Sequence, residues 1–218
     1  MNKISLLFLL MLLQISTVFF AQSPCPDAPY VSHEGKVYHT VQIGNQCWLK
    51  ENLNVGIMID LVKNASYNKI VEKYCYGNDT NNCNIYGGLY QWKEAMQYAT
   101  IPRSKGICPD EWHIPTLAEF QTLEAYVNNN ADALKANGQE MSIGDDKNSS
   151  GFSALFGGYR SGNVTFENLN YSTHYWTSTE YSGTYTYFMY LSNDKSIIYF
   201  NRFNNQKGNG LSVRCIKD

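Results

Sequence analysis

Charge of either sign is scarce in this chain, and no basic run is present. Charged residues make up 17% of the 218 positions, and 17 Lys and Arg against 19 Asp and Glu give a formal net charge of −2. Proteins that bind nucleic acid or an anionic membrane surface carry clusters of Lys and Arg. The composition therefore excludes nucleic acid as a partner.

Familiar catalytic and metal-binding motifs are also lacking. The chain has no Gly-x-Ser-x-Gly, no His-Glu-x-x-His and no Gly-Lys-Ser/Thr phosphate loop. No Cys-x-x-Cys pair occurs and the histidines are scattered, which disfavours zinc. A loop beginning at Asp79 lacks the glycine and the final acid of a calcium loop. Glu111 and His113 lie close together as an acid and a base, but a structural histidine is favoured. We expect no catalytic residue, no metal ion and no cofactor.

The first 21 residues have the pattern of a secretory signal peptide. A basic start at Lys3 precedes an apolar stretch over 4–13, and Ala21 offers a cleavage site. A membrane anchor is the alternative, but polar residues at 14, 16 and 17 make the segment marginal for a span. Cleavage would leave residues 22–218, enough for a single domain without a membrane span.

Six cysteines lie in the part that follows the signal peptide. An even number in a secreted chain predicts disulfides formed in an oxidising compartment. The spacing leaves most of the possible pairings open, although Cys75 and Cys83 look like the two ends of a short stapled loop. The cysteines are Cys25, Cys47, Cys75, Cys83, Cys108 and Cys215.

Hydrophobic patterning predicts short strands, two helices and much irregular loop. Alternation over 37–43, the turn pair Gly44-Asn45 and the return segment 47–49 indicate a β-hairpin. Thr116-Leu-Ala-Glu119 is a capping box that begins the clearest helix, and residues 89–98 form the other. Further strands are expected at 185–191, 197–203 and 211–216.

The segment from Tyr171 to Phe203 is rich in aromatic residues. Eleven of its 33 residues are aromatic, against 14% in the whole chain, and most of the others are Ser, Thr, Asn or Gly. Tyrosine among small polar residues is typical of recognition surfaces, because the ring buries a large area while losing few torsions. Ordinary β-sheet is the alternative interpretation, since Tyr, Phe and Thr also favour strands.

Alternation within this segment predicts which side chains reach solvent. Tyr187, Met189 and Leu191 are expected to point inward, so that Phe188 and Tyr190 point outward. On the strand expected at 197–203, the alternate residues Tyr199, Asn201 and Phe203 would face the same way. The candidate ligand-binding residues, all expected to face solvent, are Tyr185, Phe188, Tyr190, Tyr199, Asn201 and Phe203.

Six longer motifs then occur in order along the chain. They span residues 35–53, 86–92, 106–116, 151–160, 175–180 and 211–215. Together they resemble the Fibrobacter succinogenes major paralogous domain, a family of secreted bacterial proteins placed with C-type-lectin-like folds. The resemblance covers roughly residues 25–218.

This resemblance implies a C-type-lectin-like α+β domain over 22–218, close to the fold of formylglycine-generating enzymes. Pro115-Thr116 and the strand around Val213-Arg214-Cys215 look like landmarks of that fold. We predict the neighbouring pairs Cys25–Cys47 and Cys75–Cys83, together with Cys108–Cys215, since lectin-like domains commonly join the main helical region to the last strand. Each motif tryptophan is expected to be scaffold; these are Trp48, Trp92, Trp112 and Trp176.

Departures from better-understood relatives direct the functional hypothesis. The sugar-binding motifs of calcium-dependent lectins are absent. Formylglycine-generating enzymes bind copper through two closely spaced cysteines, whereas only Cys215 follows Cys108 here.

We therefore expect a secreted, non-enzymatic binding or adhesion module, located in the periplasm, at the cell surface or outside the cell. It would present the Tyr/Ser/Asn-rich segment 171–209 to an extracellular protein or glycan. The composition of that segment is similar to that of variable proteins diversified by bacterial retroelements. The alternatives are a degenerate enzyme of the formylglycine-generating type and a structural cell-surface protein.

Overall fold

The computed structural model describes residues 22–139, 147–183, 185–201 and 206–218. The expected signal peptide, residues 1–21, lies outside these ranges. Within them, no helix combines the length and the apolar character that crossing a membrane would require.

Fourteen strands and three α-helices are present in the described part of the chain. The strands are β1 (Tyr30–His33), β2 (Lys36–Ile43), β3 (Gln46–Leu49), β4 (Ile57–Met58), β5 (Glu72–Lys73), β6 (Tyr90–Gln91), β7 (Trp112–His113), β8 (Gly157–Ser161), β9 (Thr165–Leu169), β10 (Ser172–Ser182), β11 (Tyr185–Ser192), β12 (Tyr199–Asn201), β13 (Gly210–Leu211) and β14 (Ile216–Lys217). The helices are α1 (Thr80–Tyr86), α2 (Trp92–Ala95) and α3 (Leu117–Tyr126). Single 3-10 turns occur at Tyr76–Asn78, Ala131–Ala133 and Gln206–Gly208.

The first sheet has the strand order β1-β2-β3-β14-β7. The predicted hairpin is confirmed, because Ile43 lies opposite Gln46 and leaves Gly44 and Asn45 as a two-residue turn. Strand β14 fills the gap between β3 and β7, where Ile216 pairs with Trp48 on one side and with His113 on the other.

The second sheet is larger, with the order β12-β11-β10-β8-β13-β6, and β9 pairs with β8 outside this path. Its centre is the long antiparallel pair of β10 and β11. Because side chains alternate along β11, Phe188 points into one core cluster with Trp176, while Met189 joins a second cluster with Phe120 of α3. The sheet therefore separates two cores.

All four tryptophans are scaffold, as predicted. Each is between 0% and 2% exposed. Trp48 stacks on Phe120 at a ring-centroid distance of 5.1 Å and meets the edge of Phe152 at 5.6 Å. The indole nitrogens of Trp92 and Trp176 donate to the backbone oxygens of Thr177 and Tyr90, so these large side chains are both packed and hydrogen-bonded.

The three predicted disulfides are confirmed: Cys25–Cys47, Cys75–Cys83 and Cys108–Cys215. The first ties the N-terminal lead-in to β3, and the second closes the loop that contains the start of α1. The third links the segment before β7 to the residue before β14. Mixed sheets, helices and three disulfides make this an α+β protein with the framework expected of a chain that folds in an oxidising compartment.

The prediction of two helices is wrong in number and partly in position. Helix α3 begins where the capping box placed it: the Thr116 hydroxyl accepts from the Glu119 amide at 3.1 Å, and Glu119 accepts from the Thr116 amide at 2.8 Å. The helix expected over 89–98 is reduced to Trp92–Ala95, since Tyr90–Gln91 pairs as a strand with β13. Gln97 and Tyr98 end it with positive φ values of 49° and 62°.

Helix α1 was not predicted. Its sequence, Thr-Asn-Asn-Cys-Asn-Ile-Tyr, has no amphipathic period, and only Cys83 in it is buried. Asp79 begins the helix by accepting a hydrogen bond from the Asn81 amide at 2.9 Å. The residue considered as the start of a calcium loop is thus a helix cap. The strand expected over 211–216 is also divided, into β13 and β14.

Candidate functional site

The register of β11 and β12 determines which of the candidate residues share a face. Phe188 lies opposite Asn201 and Tyr190 opposite Tyr199, while Met189 faces Phe200. Cross-strand partners point to the same side of a sheet. The predicted alternation is therefore confirmed for these four candidate residues, with Phe200 on the other face.

Exposure differs among them. Tyr199 is 37% exposed, whereas Tyr190 and Asn201 are half-buried. Phe188 is only 2% exposed, so the expectation that it faces solvent is wrong. The physical reason is that Phe188 belongs to the buried core cluster that also contains Trp176, and its ring packs against His174. Thr186 and Ser192, at alternate positions with Phe188 and Tyr190 on β11, are also buried.

Tyr185 is separated from the other candidates. It alternates with Thr186 and so lies on the face of Tyr187 and Met189. Its ring is 6.5 Å from that of Tyr181, which also packs 5.7 Å from Tyr187. These three tyrosines form a cluster of their own at the β10–β11 hairpin. Phe203, the remaining candidate, lies outside the described residues.

Two residues that the sequence analysis did not select complete the face. The ring of Tyr159, on β8, lies 4.8 Å from His174, and His174 lies 4.9 Å from Tyr190. Tyr190 in turn lies 6.0 Å from Tyr199. We call Tyr159, Tyr190, Tyr199 and Asn201 the aromatic surface; His174 and Phe188 lie beneath it. Tyr159 belongs to the motif at 151–160, from which no site residue was predicted, because pairing between β8 and β10 was not visible in the sequence.

A carboxylate adjoins the aromatic surface. The Tyr159 hydroxyl donates to Glu167 Oε2 at 2.6 Å, and the Thr165 hydroxyl donates to Oε1 at 2.8 Å. Burial and the bond to Glu167 raise the pKa of Tyr159, and the hydrogen bonds from Tyr159 and Thr165 lower the pKa of Glu167. Tyr159 is thus a neutral donor beside a fixed negative charge.

His174 supports the surface from below as a neutral ring. It is 7% exposed, and its Nδ1 has no hydrogen-bond partner among the described residues. Burial lowers its pKa to about 3. Near neutral pH the uncharged imidazole therefore serves as an aromatic packing group between Tyr159, Phe188 and Tyr190.

His113, for which the sequence favours a structural role, is buried in a network of carboxylates. Its Nδ1 lies 2.6 Å from Asp218 Oδ1, and its Nε2 lies 3.0 Å from Glu119 Oε2. Arg103 adds an ion pair to Glu119 at 2.5 Å. Glu111, the acid considered as its partner, instead lies 3.4 Å from Lys217. The network joins β7, α3 and the last residue of the chain.

We expect Glu119→Gln to destabilise the protein at neutral pH by about 1–2 kcal/mol. Burial alone would raise the pKa of Glu119, but bonds from His113 and Thr116 lower it to about 2 from 4.5. This stabilisation is present above pH 4.5 and is lost as the pH falls toward 2. Because the Glu119 carboxylate is partly exposed, screening by solvent reduces the stabilisation that this pKa shift represents.

Urea unfolding of the wild type and the variant between pH 2 and pH 7 measures this difference. Glu124→Gln, on the same helix, is the matched control, and its stability should show no such loss. A Glu119→Gln variant as stable as wild type at pH 7 would contradict the expectation.

The fold and the aromatic surface define a disulfide-linked α+β domain with a candidate recognition face. The model of the Fibrobacter succinogenes major domain matches residues 41–217. Since the match covers most of the chain, the protein belongs to this family. No curated protein and no solved structure matches the chain significantly.

Proposed function

We propose that this protein is a secreted, non-enzymatic binding module that holds an extracellular glycan on the aromatic surface. The observation that carries the proposal is the row formed by Tyr159, Tyr190 and Tyr199 on one sheet face, with Tyr199 exposed at its edge. Tyrosine rings can stack on the C–H faces of sugars, while Asn201 and Glu167 offer polar partners for hydroxyl groups. A protein ligand is the second candidate.

The aromatic surface rests on a rigid part of the sheet, and this rigidity favours binding. Tyr190 is hydrogen-bonded into a strand with neighbours on both sides, and its ring rests on buried His174. A ligand that meets preorganised rings loses less free energy in ordering them. The mixture of tyrosine and asparagine on this face also supports the comparison with diversified variable proteins, and a template repeat beside the gene that differs only at adenines would test it.

The proposal extends to the fold and to the location of the protein. A C-type-lectin-like arrangement is supported by the Cys108–Cys215 link between the region before α3 and the chain before the last strand. Secretion is supported by the three disulfides, which form in oxidising compartments. Cys215 is buried and bonded to Cys108, which supports a binding role over copper chemistry of the formylglycine-generating type.

We expect Tyr199→Ala and Tyr190→Ala each to weaken glycan binding at least tenfold, because a few central aromatic residues dominate most interfaces. Affinity electrophoresis against soluble xylan, β-glucan and mannan, followed by a glycan array, measures the effect. Tyr199→Ala should lower the thermal midpoint much less than truncation of a core residue, since Tyr199 is 37% exposed.

Tyr30→Ala is the matched control, because Tyr30 is 61% exposed on the edge strand β1 and lies outside the aromatic surface. Phe188→Ala should instead lower the thermal midpoint strongly, as expected for a core residue. Glycan binding that persists in both tyrosine variants, or that Tyr30→Ala abolishes equally, would refute the proposal. Retention of a protein ligand in place of any glycan would favour the second candidate.

A further inference from the structure

An open cavity of about 380 Å³ lies apart from the aromatic surface. Its walls come from β2, from the segment that follows β3, from α1 and from the chain around Arg214. This volume is in the range of small-molecule sites and is much larger than a bare ion needs. No residue of the aromatic surface lines it.

The charges that line the cavity are unbalanced. Lys36, Lys50 and Arg214 contribute three cations, against the single carboxylate of Glu51. That carboxylate is already engaged: its Oε2 accepts from the His39 amide at 2.8 Å, and its Oε1 lies 3.0 Å from the His39 ring nitrogen. None of the three cations forms an ion pair with a carboxylate in the part of the chain described here.

Arg214 lies in the wall of the cavity and is 1% exposed. Its Nε and one terminal nitrogen donate to Asn52 Oδ1 at 2.9 and 2.6 Å, and the other terminal nitrogen donates to the backbone oxygens of Leu49 and Phe152. All of these acceptors are neutral. They hold the guanidinium in place without cancelling its charge.

Lys73 is a second buried cation that is held by an asparagine of the cavity lining. It is 8% exposed, and its Nζ donates to Asn54 Oδ1 at 2.6 Å. The amide groups of Asn52 and Asn54 donate in turn to the backbone oxygens of Tyr86 and Cys83 at 2.8 Å. Both lining asparagines are therefore oriented with their oxygens toward buried cations. An uncompensated buried charge is unfavourable, and its field extends far through a medium of low dielectric constant.

We propose that this cavity binds a small acidic sugar of the uronic acid class, with its carboxylate between Lys36 and Lys50 and the field of Arg214 behind it. A negative ligand would supply the counter-charge that the cavity lacks. The remaining lining mixes polar Asn84 and Ser153 with apolar Val37 and Leu155, which suits the hydroxyl groups and C–H faces of a sugar ring. This site does not depend on the aromatic surface.

Calorimetric titration of the full domain with glucuronate tests the inference, with glucose and acetate as comparison ligands. We expect glucuronate to bind at least tenfold more tightly than either, and its affinity to fall as salt is added. Lys36→Gln/Lys50→Gln should weaken it at least tenfold. Neither Nζ donates a hydrogen bond to a described residue, so the thermal midpoint of this variant should stay close to that of wild type.

Lys63→Gln, at an exposed lysine that does not line the cavity, and Tyr199→Ala should both bind glucuronate like wild type. Equal binding of glucose, or equal weakening by Lys63→Gln, would overturn the proposal. Equal binding of acetate would overturn its sugar component, because the ring would then contribute nothing. Loss of glucuronate binding in Tyr199→Ala would also overturn it, since binding would then occur at the aromatic surface.

Discussion

Replacing Cys108 and Cys215 together by alanine should lower the free energy of unfolding by about 4–5 kcal/mol. The two residues are 107 positions apart, which makes this the longest of the three disulfide-closed loops. A cross-link stabilises mainly by restricting the unfolded chain, and the restriction grows with the logarithm of loop length. Both cysteines are fully buried, so the small cavity left by the two missing sulfur atoms adds to this loss.

The double variant Cys75→Ala/Cys83→Ala is the matched control. Its residues are separated by only 8 positions, and the same relation gives a loss of about 2–3 kcal/mol. Guanidinium unfolding of wild type and both double variants, with the remaining disulfides verified by peptide mapping, measures the difference. A loss from the short loop equal to that from the long loop would contradict the chain-entropy explanation.

Acidification from pH 7 to pH 4.5 should remove about 2–3 kcal/mol of stability through His174 alone. Burial lowers the pKa of His174 to about 3 from 6.5. Below pH 6.5 the unfolded chain binds a proton that the folded protein does not, so stability is complete above pH 6.5 and falls as the pH drops toward 3. Each pH unit within that window contributes about 1.4 kcal/mol.

His174→Phe tests this directly, because an uncharged ring can occupy the space among Tyr159, Phe188 and Tyr190. The variant should lose the dependence on pH between 6.5 and 4.5. His39→Gln is the control, since the His39 side chain is 67% exposed. An unchanged slope in His174→Phe would show that another group causes the acid sensitivity. The contribution of Glu119 begins only below pH 4.5, so the two effects can be separated.

Local patterns in the sequence predicted local structure well. The Gly44-Asn45 turn, the Thr116 capping box and the alternation of Phe188 and Tyr190 with Met189 depend on residues close together in the chain. Burial of Phe188 depends instead on residues distant in sequence, such as Trp92 and Met96, that belong to the same core cluster. Alternation gives the face of a side chain but cannot give what covers that face.

The candidate site also contains residues that the local sequence predicts and residues that only the fold brings together. Tyr190, Tyr199 and Asn201 were selected because their own segment is rich in tyrosine and asparagine. Tyr159 was missed because β8 reaches this face only through long-range pairing with β10. The cation-lined cavity was missed for a related reason: Lys36 and Arg214 are far apart in sequence, and their charges combine only in the folded protein.

The position of β14 has a consequence for the order in which the protein folds. Ile216 completes the first sheet by pairing with Trp48 and with His113, so β3 and β7 have no strand between them until the end of the domain has been synthesised. A chain that emerges from its N-terminus would hold two open strand edges during that time. Such long-range closure slows folding and exposes edges to aggregation. We therefore expect folding to be completed only after release of the full domain. Until then, protection of the open edges from aggregation should affect the yield of folded protein more than the rate at which local hairpins form.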